Sequence, residues 1–462
     1  MYRFSIDGAG YRHIHFIGIG GISMSGLAEI AKTAGYHVTG SDSKPGAVTK
    51  RLNEMGIEVF NEHKAINIKG ADLVVYTDAI SMGNEELKAA ISSKVDLVDR
   101  ATFLGALMEN YDASIAVSGT HGKTSTTSML TEIIHQTKPT PTVLLGGVLD
   151  NIHGNVLLGE RNLLLTEACE YKANILKYRP TMAVLLNVDE DHLDFFDNIE
   201  HIAKTFRDYV VGLREDATLI INIDDPYLKK ISDEKLRKEI TIGITNDSDF
   251  QAKNIIHNPK GVSFKLFVYG EEIGDVNLQV MGEHNVINAL AAIAASWEYG
   301  LEPSEVISGI ERYSGVHRRL EFKAMVDGVS VVDDYAHHPT EIEASLRALK
   351  PAVEGKLYCI FQPHTFTRTK ILLNRFSTSF TDADSVIITD IYAAREKDYG
   401  DIHSLTLVEA ISKNHPSVVY RAGFDEIVEY LAPIVKPGDM VLTMGAGDVY
   451  EIGERLIGKL QS

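Results

Sequence analysis

Short apolar runs alternate with amphipathic helical patterns along almost the whole chain. The runs are typical of buried strands, and most of them end in glycine-rich or acidic turns before a segment with apolar residues three and four positions apart. This order predicts strand–helix units and parallel sheets. Strands are predicted at 14–17, 36–39, 73–76, 97–98, 115–117, 182–186, 219–223, 357–361, 386–389 and 440–443, and within NLLLTE and VSVVDD.

The length of 462 residues indicates about three domains. We predict an N-terminal Rossmann-like domain at 1–108, a central P-loop-type mononucleotide-binding domain at 109–320 and a C-terminal Rossmann-like domain with a parallel sheet at 321–462. The last boundary lies near Leu320, because a new strand pattern begins after it. The predicted fold class is therefore α/β.

Composition narrows the choice of partners. A net charge of −19 without a Lys/Arg cluster argues against nucleic acid. The N-terminus lacks an apolar signal region and no stretch approaches the ~18 apolar residues that span a bilayer, so we expect a cytoplasmic protein without a membrane partner. Cys169 and Cys359 are too isolated for a disulfide framework or a zinc site.

The stretch 114–136, SIAVSGTHGKTSTTSMLTEIIHQ, predicts a strand, a glycine loop and a helix. Gly119 and Gly122 bracket the turn, Lys123 adds a positive charge and Thr124 a hydroxyl suited to Mg²⁺. Such a loop directs backbone N–H groups and a helix N-terminus at one spot, which suits ATP or GTP. The general P-loop pattern has a glycine where Val117 stands, so the loop is a shortened form.

A second glycine loop, GIGGIS, follows the first strand. Gly18 and Gly20 match a dinucleotide fingerprint, and Asp42 follows at the distance of a ribose-binding acid. Ser23 occupies the place of the third glycine. The loop alone is weak evidence for NAD, since it would serve any diphosphate.

Acidic and polar residues follow several predicted strands, at the edge where α/β sheets bind ligands. Glu167 and Glu170 follow one strand, and NVDEDHLD, with His192, follows another. Thr124, Glu167 and His192 are a candidate Mg²⁺ set, although a solvated acidic turn is an equal alternative. His284 and Asn285 begin a helical run and have groups that can read an adenine edge; a helix N-cap is the simpler interpretation of Asn285.

The last third places further polar residues at strand ends. Arg318 and Arg319 lie at the domain junction, where an arginine can reach a γ-phosphate when the domains close, although arginines in linkers are more often solvent-exposed. The remaining candidates at strand ends are Asp333, Asp334, Tyr335, His337, His338, Arg368, Arg395, Glu396 and Asp448.

Taken together, these stretches resemble the Mur ligase family over essentially the whole chain. The motifs, in chain order, are GIGGISMSG, SGTHGKT, NVDEDHLD, GEHNVINALAA, DDYAHHPTE, FQPHTFTRT and MGAGD. The resemblance implies an ATP-dependent, amide-bond-forming ligase of peptidoglycan precursor synthesis. Within the family, the pocket motif FQPHTFTRT favours joining L-alanine to the lactyl carboxylate of UDP-N-acetylmuramate through an acyl phosphate.

The resemblance also implies residue roles. ATP would lie over the loop, with Lys123 on the phosphates, Thr124 and Glu167 on one Mg²⁺, and His192 on a second. The UDP diphosphate would lie on the first glycine loop, so that loop would not be an NAD site. The ATP loop comprises Gly119, Thr120, His121, Gly122, Lys123, Thr124 and Ser125, and the diphosphate loop comprises Gly18, Ile19, Gly20 and Gly21.

Further roles follow from the same resemblance. Asn285 and His284 match adenine contacts, and Arg319 and Asp334 match groups that reach ATP from the third domain. Tyr335, His337 and Arg368 match the alanine pocket, where Thr365 replaces an arginine of some members, so the alanine carboxylate would depend on Arg368. We predict Lys123, His192, Arg319 and His337 as the catalytic set and assign no metal role to Glu170.

Three alternatives stay open at this point, together with a monomeric or weakly dimeric state. A related ligase would attach a ready-made tripeptide to the same sugar nucleotide. A nicotinamide-dependent oxidoreductase would use the first domain but would leave SGTHGKT and DEDHLD unexplained. A nucleotide-switch protein would bind and hydrolyse nucleotide without ligation.

Overall fold

The computed structural model describes residues 2–6, 10–258, 261–394 and 396–461. The chain forms two compact units: 1–188, 202–242 and 291–309 make the first, and 189–201, 243–290 and 310–462 make the second. The candidate Arg395 lies outside the described residues. Among those described, no helix combines the length and apolar character needed to cross a bilayer.

The first unit begins with a five-stranded sheet. Its strands and helices are β1 His13–Ile17, α1 Ile22–Thr33, β2 His37–Ser41, α2 Ala47–Glu54, β3 Glu58–Phe60, β4 Leu73–Tyr76, α3 Glu85–Ser93, β5 Asp96–Asp99 and α4 Arg100–Met108. All strands are parallel, in the order β3-β2-β1-β4-β5. The order reverses at β1, so the glycine loop after β1 lies at the switch point where such sheets bind ligands.

A second, larger sheet of the first unit follows. Its elements are β6 Ala113–Ser118, α5 Lys123–Ile134, β7 Thr142–Leu149, β8 Gly154–Leu157, β9 Leu163–Glu167, β10 Met182–Leu185, α6 Ile199–Gly212, β11 Thr218–Asn222, α7 Pro226–Asp233 and β12 Lys238–Gly243. The strand order is β12-β11-β10-β6-β9-β7-β8, and only β8 of these is antiparallel to its neighbour. The carboxyl ends of β10, β6 and β9 therefore meet at one edge.

The second unit contains an antiparallel meander and a mixed sheet. The meander consists of β13 Phe250–Asn258, β14 Gly261–Val268 and β15 Glu271–Leu278. Two helices follow, α8 Glu283–Glu298 and α9 Pro303–Glu311. The chain passes from one unit to the other within each of them. Among the residues that the structure describes, short 3₁₀ helices lie at Ala65–Ile68, Asp150–Ile152, Tyr171–Lys177 and Lys350–Ala352.

The C-terminal sheet has six strands. Its elements are β16 Glu321–Val326, β17 Val329–Asp334, α10 Pro339–Leu349, β18 Leu357–Phe361, α11 Phe366–Ile371, α12 Leu373–Phe376, β19 Ser385–Ile388, α13 Ser404–Ile411, β20 Val418–Tyr420, α14 Phe424–Leu431, β21 Met440–Met444 and α15 Tyr450–Leu460. The order is β16-β17-β21-β18-β19-β20. A hydrophobic cluster covers each face of this sheet. Phe361 packs with Phe376 in one cluster, and Ile360 packs with Ile427 in the other.

The predicted α/β class and the strands at 73–76 and 357–361 are confirmed. The parallel sheet expected at the C-terminus has one antiparallel edge strand, β16, which pairs with β17 through a tight turn at Asp327 and Gly328. The β7–β8 hairpin and the meander β13–β15 were not predicted. The interpretation of Asn285 as an N-cap is wrong, because α8 already begins at Glu283.

Candidate functional site

The loop between β6 and α5 has a backbone that only glycine permits at two positions. Gly119 has φ +143°, and a Cβ there would lie 2.9 Å from Leu186 Cβ; Gly122, with φ +85°, is the N-cap of α5. Asn187, two residues after β10, holds the loop by accepting from the backbone N–H of His121 at 2.8 Å and donating to the His121 carbonyl at 3.0 Å. The N-terminus of α5 is thus held in a fixed position, as an anion site requires.

Lys123 folds back over this loop. Its ammonium donates to the carbonyls of Gly119 and Thr120 and pairs with Glu170 at 2.9 Å. Burial would lower the pKa of Lys123, but the carboxylate of Glu170 outweighs it and raises the pKa to about 12, so the lysine is charged. Cys169 is its uncharged neighbour, because burial and Glu170 raise the pKa of that thiol to about 11.

Two predicted Mg²⁺ ligands lie at this edge of the sheet. Thr124 is in the first turn of α5 and is nearly buried. Glu167 ends β9, and its Oε1 accepts from the Gly146 N–H at 2.7 Å, which orients the carboxylate. A hydroxyl and an oriented carboxylate beside a phosphate-type loop are the donors that Mg²⁺ accepts, so these residues fit the ion.

The glycine loop after β1 is fixed by the residues that follow β2. The Ser41 carbonyl accepts from the N–H groups of Gly18 and Ile19, and the Asp42 carboxylate accepts from the Gly20 N–H at 2.9 Å. A Cβ at Gly18 would lie 2.6 Å from Thr77 Cγ2. Asp42 is the acid that would bind the ribose in the oxidoreductase alternative, but here one of its carboxylate oxygens already accepts a hydrogen bond from the glycine loop.

The N-terminus of α1 lies directly after this loop. Gly21 is its N-cap and provides no side-chain hydrogen bond, whereas the Arg100 guanidinium donates to Ser23 Oγ at 3.2 Å in the first turn. Carbonyl and acid groups thus fix the loop from one side, and a cation lies near its helix end. The N-terminus of α1 and this cation suit an anionic ligand such as a diphosphate.

In the second unit, the structure brings the three predicted alanine-pocket residues together. The rings of Tyr335 and His337 have centroids 5.5 Å apart, and His364 packs 5.5 Å from His337. Arg368 Nη1 lies 3.0 Å from His364 Nδ1, which must accept this hydrogen bond because a guanidinium only donates.

His337 is held as a neutral imidazole. Its Nδ1 lies 2.9 Å from the Tyr335 carbonyl, so Nδ1 carries the proton and Nε2 has the lone pair. Burial lowers the pKa of His337; Arg368 lowers it further, while Glu341 opposes the shift. The ring can therefore accept a proton at neutral pH.

The loop with His192 contacts the same pocket. Asp191 Oδ1 accepts from Arg368 Nη2 at 2.8 Å and from the His192 backbone N–H at 2.7 Å. Despite burial, the neighbouring His192 and Arg368 hold the pKa of Asp191 well below its usual range. His192 has φ +54°, in the left-handed region that few residues other than glycine adopt, which marks a locally constrained backbone.

A cleft opens beside this ion pair. It is lined from the loop by Asp191, His192, Leu193 and Asp194, and from the region of α11 by Thr365, Thr367, Arg368, Ile371, Leu372 and Glu396. Five of the lining residues have charged or ionisable side chains, namely Asp191, His192, Asp194, Arg368 and Glu396, so the cleft suits a small polar ligand.

The two junction arginines have different environments. Both guanidiniums lie over the Tyr335 ring. Arg318 is also anchored by Asp333 at 3.1 Å and by the carbonyls of Gly445 and Gly447, whereas Arg319 lies 4.0 Å from Glu341. Burial raises the pKa of Asp334 to about 6, although Arg319 and a hydrogen bond from Ser345 oppose the shift.

The candidate adenine contacts lie in the first turns of α8. His284 is exposed, and Asn285 is buried, donating to the Met281 carbonyl at 2.8 Å and accepting from Asn288 at 3.1 Å. The two side chains therefore do not face the same surroundings.

Three residues of the site had no individual role assigned from the sequence: Asn187 and Asp191, which lie in the polar cluster NVDEDHLD behind one predicted strand, and His364. The first follows the strand beside β6, so the rule that neighbouring strand ends meet would have found it. His364 follows β18 in the same way. Asp191 had no such signal, because its partner Arg368 lies 177 residues away.

Three protein-family models match the chain. Residues 13–112 match the model described as Mur ligase family, catalytic domain; residues 117–296 match Mur ligase middle domain; and residues 318–447 match Mur ligase, glutamate ligase domain. Together the three matches span residues 13–447, apart from 113–116 and 297–317.

Relatives extend the similarity over the full length. The chain is 45% identical over 460 residues to a UDP-N-acetylmuramate–L-alanine ligase of Alkaliphilus metalliredigens, covering 99% of this chain and 100% of that protein. It is equally identical over 454 residues to a protein of the same name from Acetivibrio thermocellus, covering 98% and 97%.

Solved structures give the same picture. UDP-N-acetylmuramate-alanine ligase of Thermotoga maritima matches with a TM-score of 0.82 and 26% identity, covering 97% of this chain and 99% of that one. A murein peptide ligase of Psychrobacter arcticus matches with a TM-score of 0.72 and 26% identity, covering 97% and 98%.

Proposed function

The chain belongs to the Mur ligase family, and on this basis we propose that it joins L-alanine to the lactyl carboxylate of UDP-N-acetylmuramate at the expense of ATP. The observation that carries this proposal is the full-length identity of 45% to ligases named for this reaction. The protein is an ATP-dependent ligase of peptidoglycan synthesis.

The reaction needs an activated carboxylate. ATP supplies a phosphoryl group that converts the lactyl carboxylate into an acyl phosphate, and the alanine amine then displaces phosphate to form the amide bond. Negative charge develops in both steps, so the main task of the protein is positioning and electrostatic stabilisation.

We assign the nucleotide phosphates to the loop from Gly119 to Ser125. The fixed α5 N-terminus and the charged Lys123 support this assignment. Lys123 would exchange its contacts with the loop carbonyls for phosphate oxygens, while Glu170 keeps it oriented. His284, Asn285, Arg319 and Asp334 stay predictions as further ATP contacts.

We propose Mg²⁺ as the accompanying ion. Thr124 and Glu167 would hold one ion, as their oxygen donors support, and His192 is the predicted ligand of a second. The chemistry that the ions supply is neutralisation of phosphate charge.

We assign the sugar nucleotide to the first glycine loop and alanine to the pocket of Tyr335, His337 and Arg368. In that pocket Arg368 binds the α-carboxylate, and His337 Nε2 accepts a proton from the amine before it attacks. The neutral, Nδ1-protonated state of His337 supports this role. Thr365 is the N-cap of α11, and its hydroxyl accepts from the backbone N–H of Arg368. It therefore helps to position Arg368, but it has no positive charge with which to bind the carboxylate itself.

Domain division and cellular context belong to the same proposal. We propose domains at 1–108, 109–320 and 321–462, which the three family matches support. We also propose a monomer or weak dimer in the cytoplasm, without nucleic acid or membrane partners. The two free cysteines fit a reducing compartment.

The test is phosphate release from ATP in the presence of UDP-N-acetylmuramate, with alanine, serine, glycine or the tripeptide added in turn. We expect alanine to give the highest kcat/KM and the alanyl product to appear by mass spectrometry. The tripeptide arm is included because the similarity to a murein peptide ligase is also extensive. Preference for the tripeptide would replace the alanine assignment, and nucleotide hydrolysis without any acceptor would contradict ligation.

A further inference from the structure

The ion pair of Asp191 and Arg368 is almost removed from solvent. Their side chains are 11% and 13% exposed, and their atoms are 2.8 Å apart on the wall of the cleft between the His192 loop and the region of α11. A buried carboxylate and a buried guanidinium each need a charged partner, and in this structure each is the partner of the other.

The arginine retains donors for a ligand. Among the described residues, its side-chain hydrogen bonds go to Asp191 through Nη2 and to His364 through Nη1. A guanidinium has five N–H donors in a planar fork, so a ligand carboxylate can bind beside Asp191. A ligand carboxylate alone would add negative charge to a cleft whose lining already includes the carboxylates of Asp191, Asp194 and Glu396.

A free amino acid adds no net charge, because it carries an ammonium as well as a carboxylate. Placed in the cleft, its carboxylate would face Arg368 and its ammonium would face Asp191, so that the four charges alternate. Each protein charge then keeps an opposite neighbour.

Building on the proposed function, we propose that Asp191 binds the α-ammonium of the incoming amino acid, so that Asp191 and Arg368 together form a receptor for a zwitterion. The ion pair closes the receptor when it is empty. Because Asp191 also accepts from the backbone N–H of His192, it fixes the ammonium relative to that constrained residue.

The test compares ligands that differ only at the ammonium. Calorimetry measures binding of L-alanine and propionate to the full-length protein, with UDP-N-acetylmuramate and a non-hydrolysable ATP analogue present. Wild type should bind L-alanine at least 30-fold more tightly than propionate. Asp191→Asn should weaken alanine binding at least 10-fold, leave propionate binding equal or tighter, and thus bring the ratio near one. A purely structural defect would weaken both ligands alike.

The matched control is Asp197→Asn, which removes the same charge from the same loop at an exposed residue that pairs with His201. It should keep the wild-type ratio. The inference is overturned if wild type binds both ligands equally, a result that needs no variant, or if Asp191→Asn keeps the ratio or binds alanine more tightly. The ligation assay separates the two proposals: if wild type makes no alanyl product, the proposed function fails, whereas product formation with an unchanged ratio in Asp191→Asn removes only the role of Asp191.

Discussion

At the scale of single residues, burial sets the protonation of His337. Its pKa lies below the value of about 6.5 of an exposed histidine, so the proton-accepting form persists to lower pH. We expect kcat to fall only as pH drops through that lowered pKa, and His337→Gln to lose about 100-fold or more in kcat. A kcat profile from pH 5 to 9 checks this. An acid limb at or above pH 6.5, or near-full activity of the variant, would contradict the role.

Asp334 has a raised pKa, in contrast to the lowered pKa of His337, and this makes stability depend on pH. Its pKa is about 6 in the folded chain and about 3.9 when exposed, so the folded state binds the proton more tightly. The free energy of unfolding should therefore fall as pH rises from about 4 to about 6 and stay level above. Asp334→Asn should remove this dependence and gain up to about 2–3 kcal/mol at pH 8. Urea unfolding at pH 4.5 and 8 measures it; an equal effect at both pH values would contradict the assignment.

Residue contacts differ in how far the sequence reveals them. The loop ending in Lys123 was predictable because its strand, glycines, cation and helix are contiguous. Its pairing with Glu170 was not, because the two residues are 47 positions apart and the acid could equally have bound metal. Asp191 read as one carboxylate in an acidic turn until the fold brought Arg368 to it.

At the scale of elements, one glycine permits a close packing in the first unit. Gly105 lies inside α4, and a Cβ there would lie 2.3 Å from the Lys177 carbonyl oxygen, a backbone atom that cannot rotate away. Gly105→Ala should cost about 1–3 kcal/mol despite the better helix propensity of alanine. Gly458→Ala, in α15 with no atom within 4 Å of the added Cβ, should gain about 0.5–1 kcal/mol. Chemical denaturation measures both. Similar values for the two variants would contradict the packing.

Parallel strands were easier to predict than antiparallel ones in this chain. Buried strands such as β4 and β18 are continuous apolar runs, so their bounds matched. β16 alternates exposed and half-buried residues at a sheet edge and follows the polar junction of Arg318 and Arg319, so it read as a linker. The antiparallel β14 alternates buried and half-buried residues, so it has no continuously buried face pair like that of β4 or β18.

At the scale of the whole molecule, ligand binding should stabilise the fold. An ATP analogue at about 100 times its dissociation constant adds about 2.7 kcal/mol if it binds only the folded state. We expect the first unit to be protected, with reduced hydrogen exchange in the loop 119–122 and the first turn of α5. Exchange mass spectrometry with and without the analogue measures this, and unchanged exchange in this loop would contradict the nucleotide assignment.

The arrangement into three domains stays a prediction at this scale. The number of domains was inferred from the chain length, and the boundary near Leu320 was inferred from the new strand pattern that begins after it. The three family matches leave gaps at 113–116 and 297–317, close to the proposed boundaries. Chain length and local pattern carry no information on which sheet edges face one another, because that depends on contacts between distant segments.

The central claim is that the loop ending in Lys123 holds the triphosphate whose terminal phosphoryl group activates the sugar-borne carboxylate. Lys123→Ala tests it most directly, with alanine-dependent phosphate release as the measurement and Lys204→Ala, at an exposed lysine paired with Asp208, as the control. A thermal melt confirms that each variant is folded. The account predicts at least a 100-fold loss for Lys123→Ala and wild-type rates for the control. A folded Lys123→Ala protein that joins alanine at an undiminished rate would contradict it.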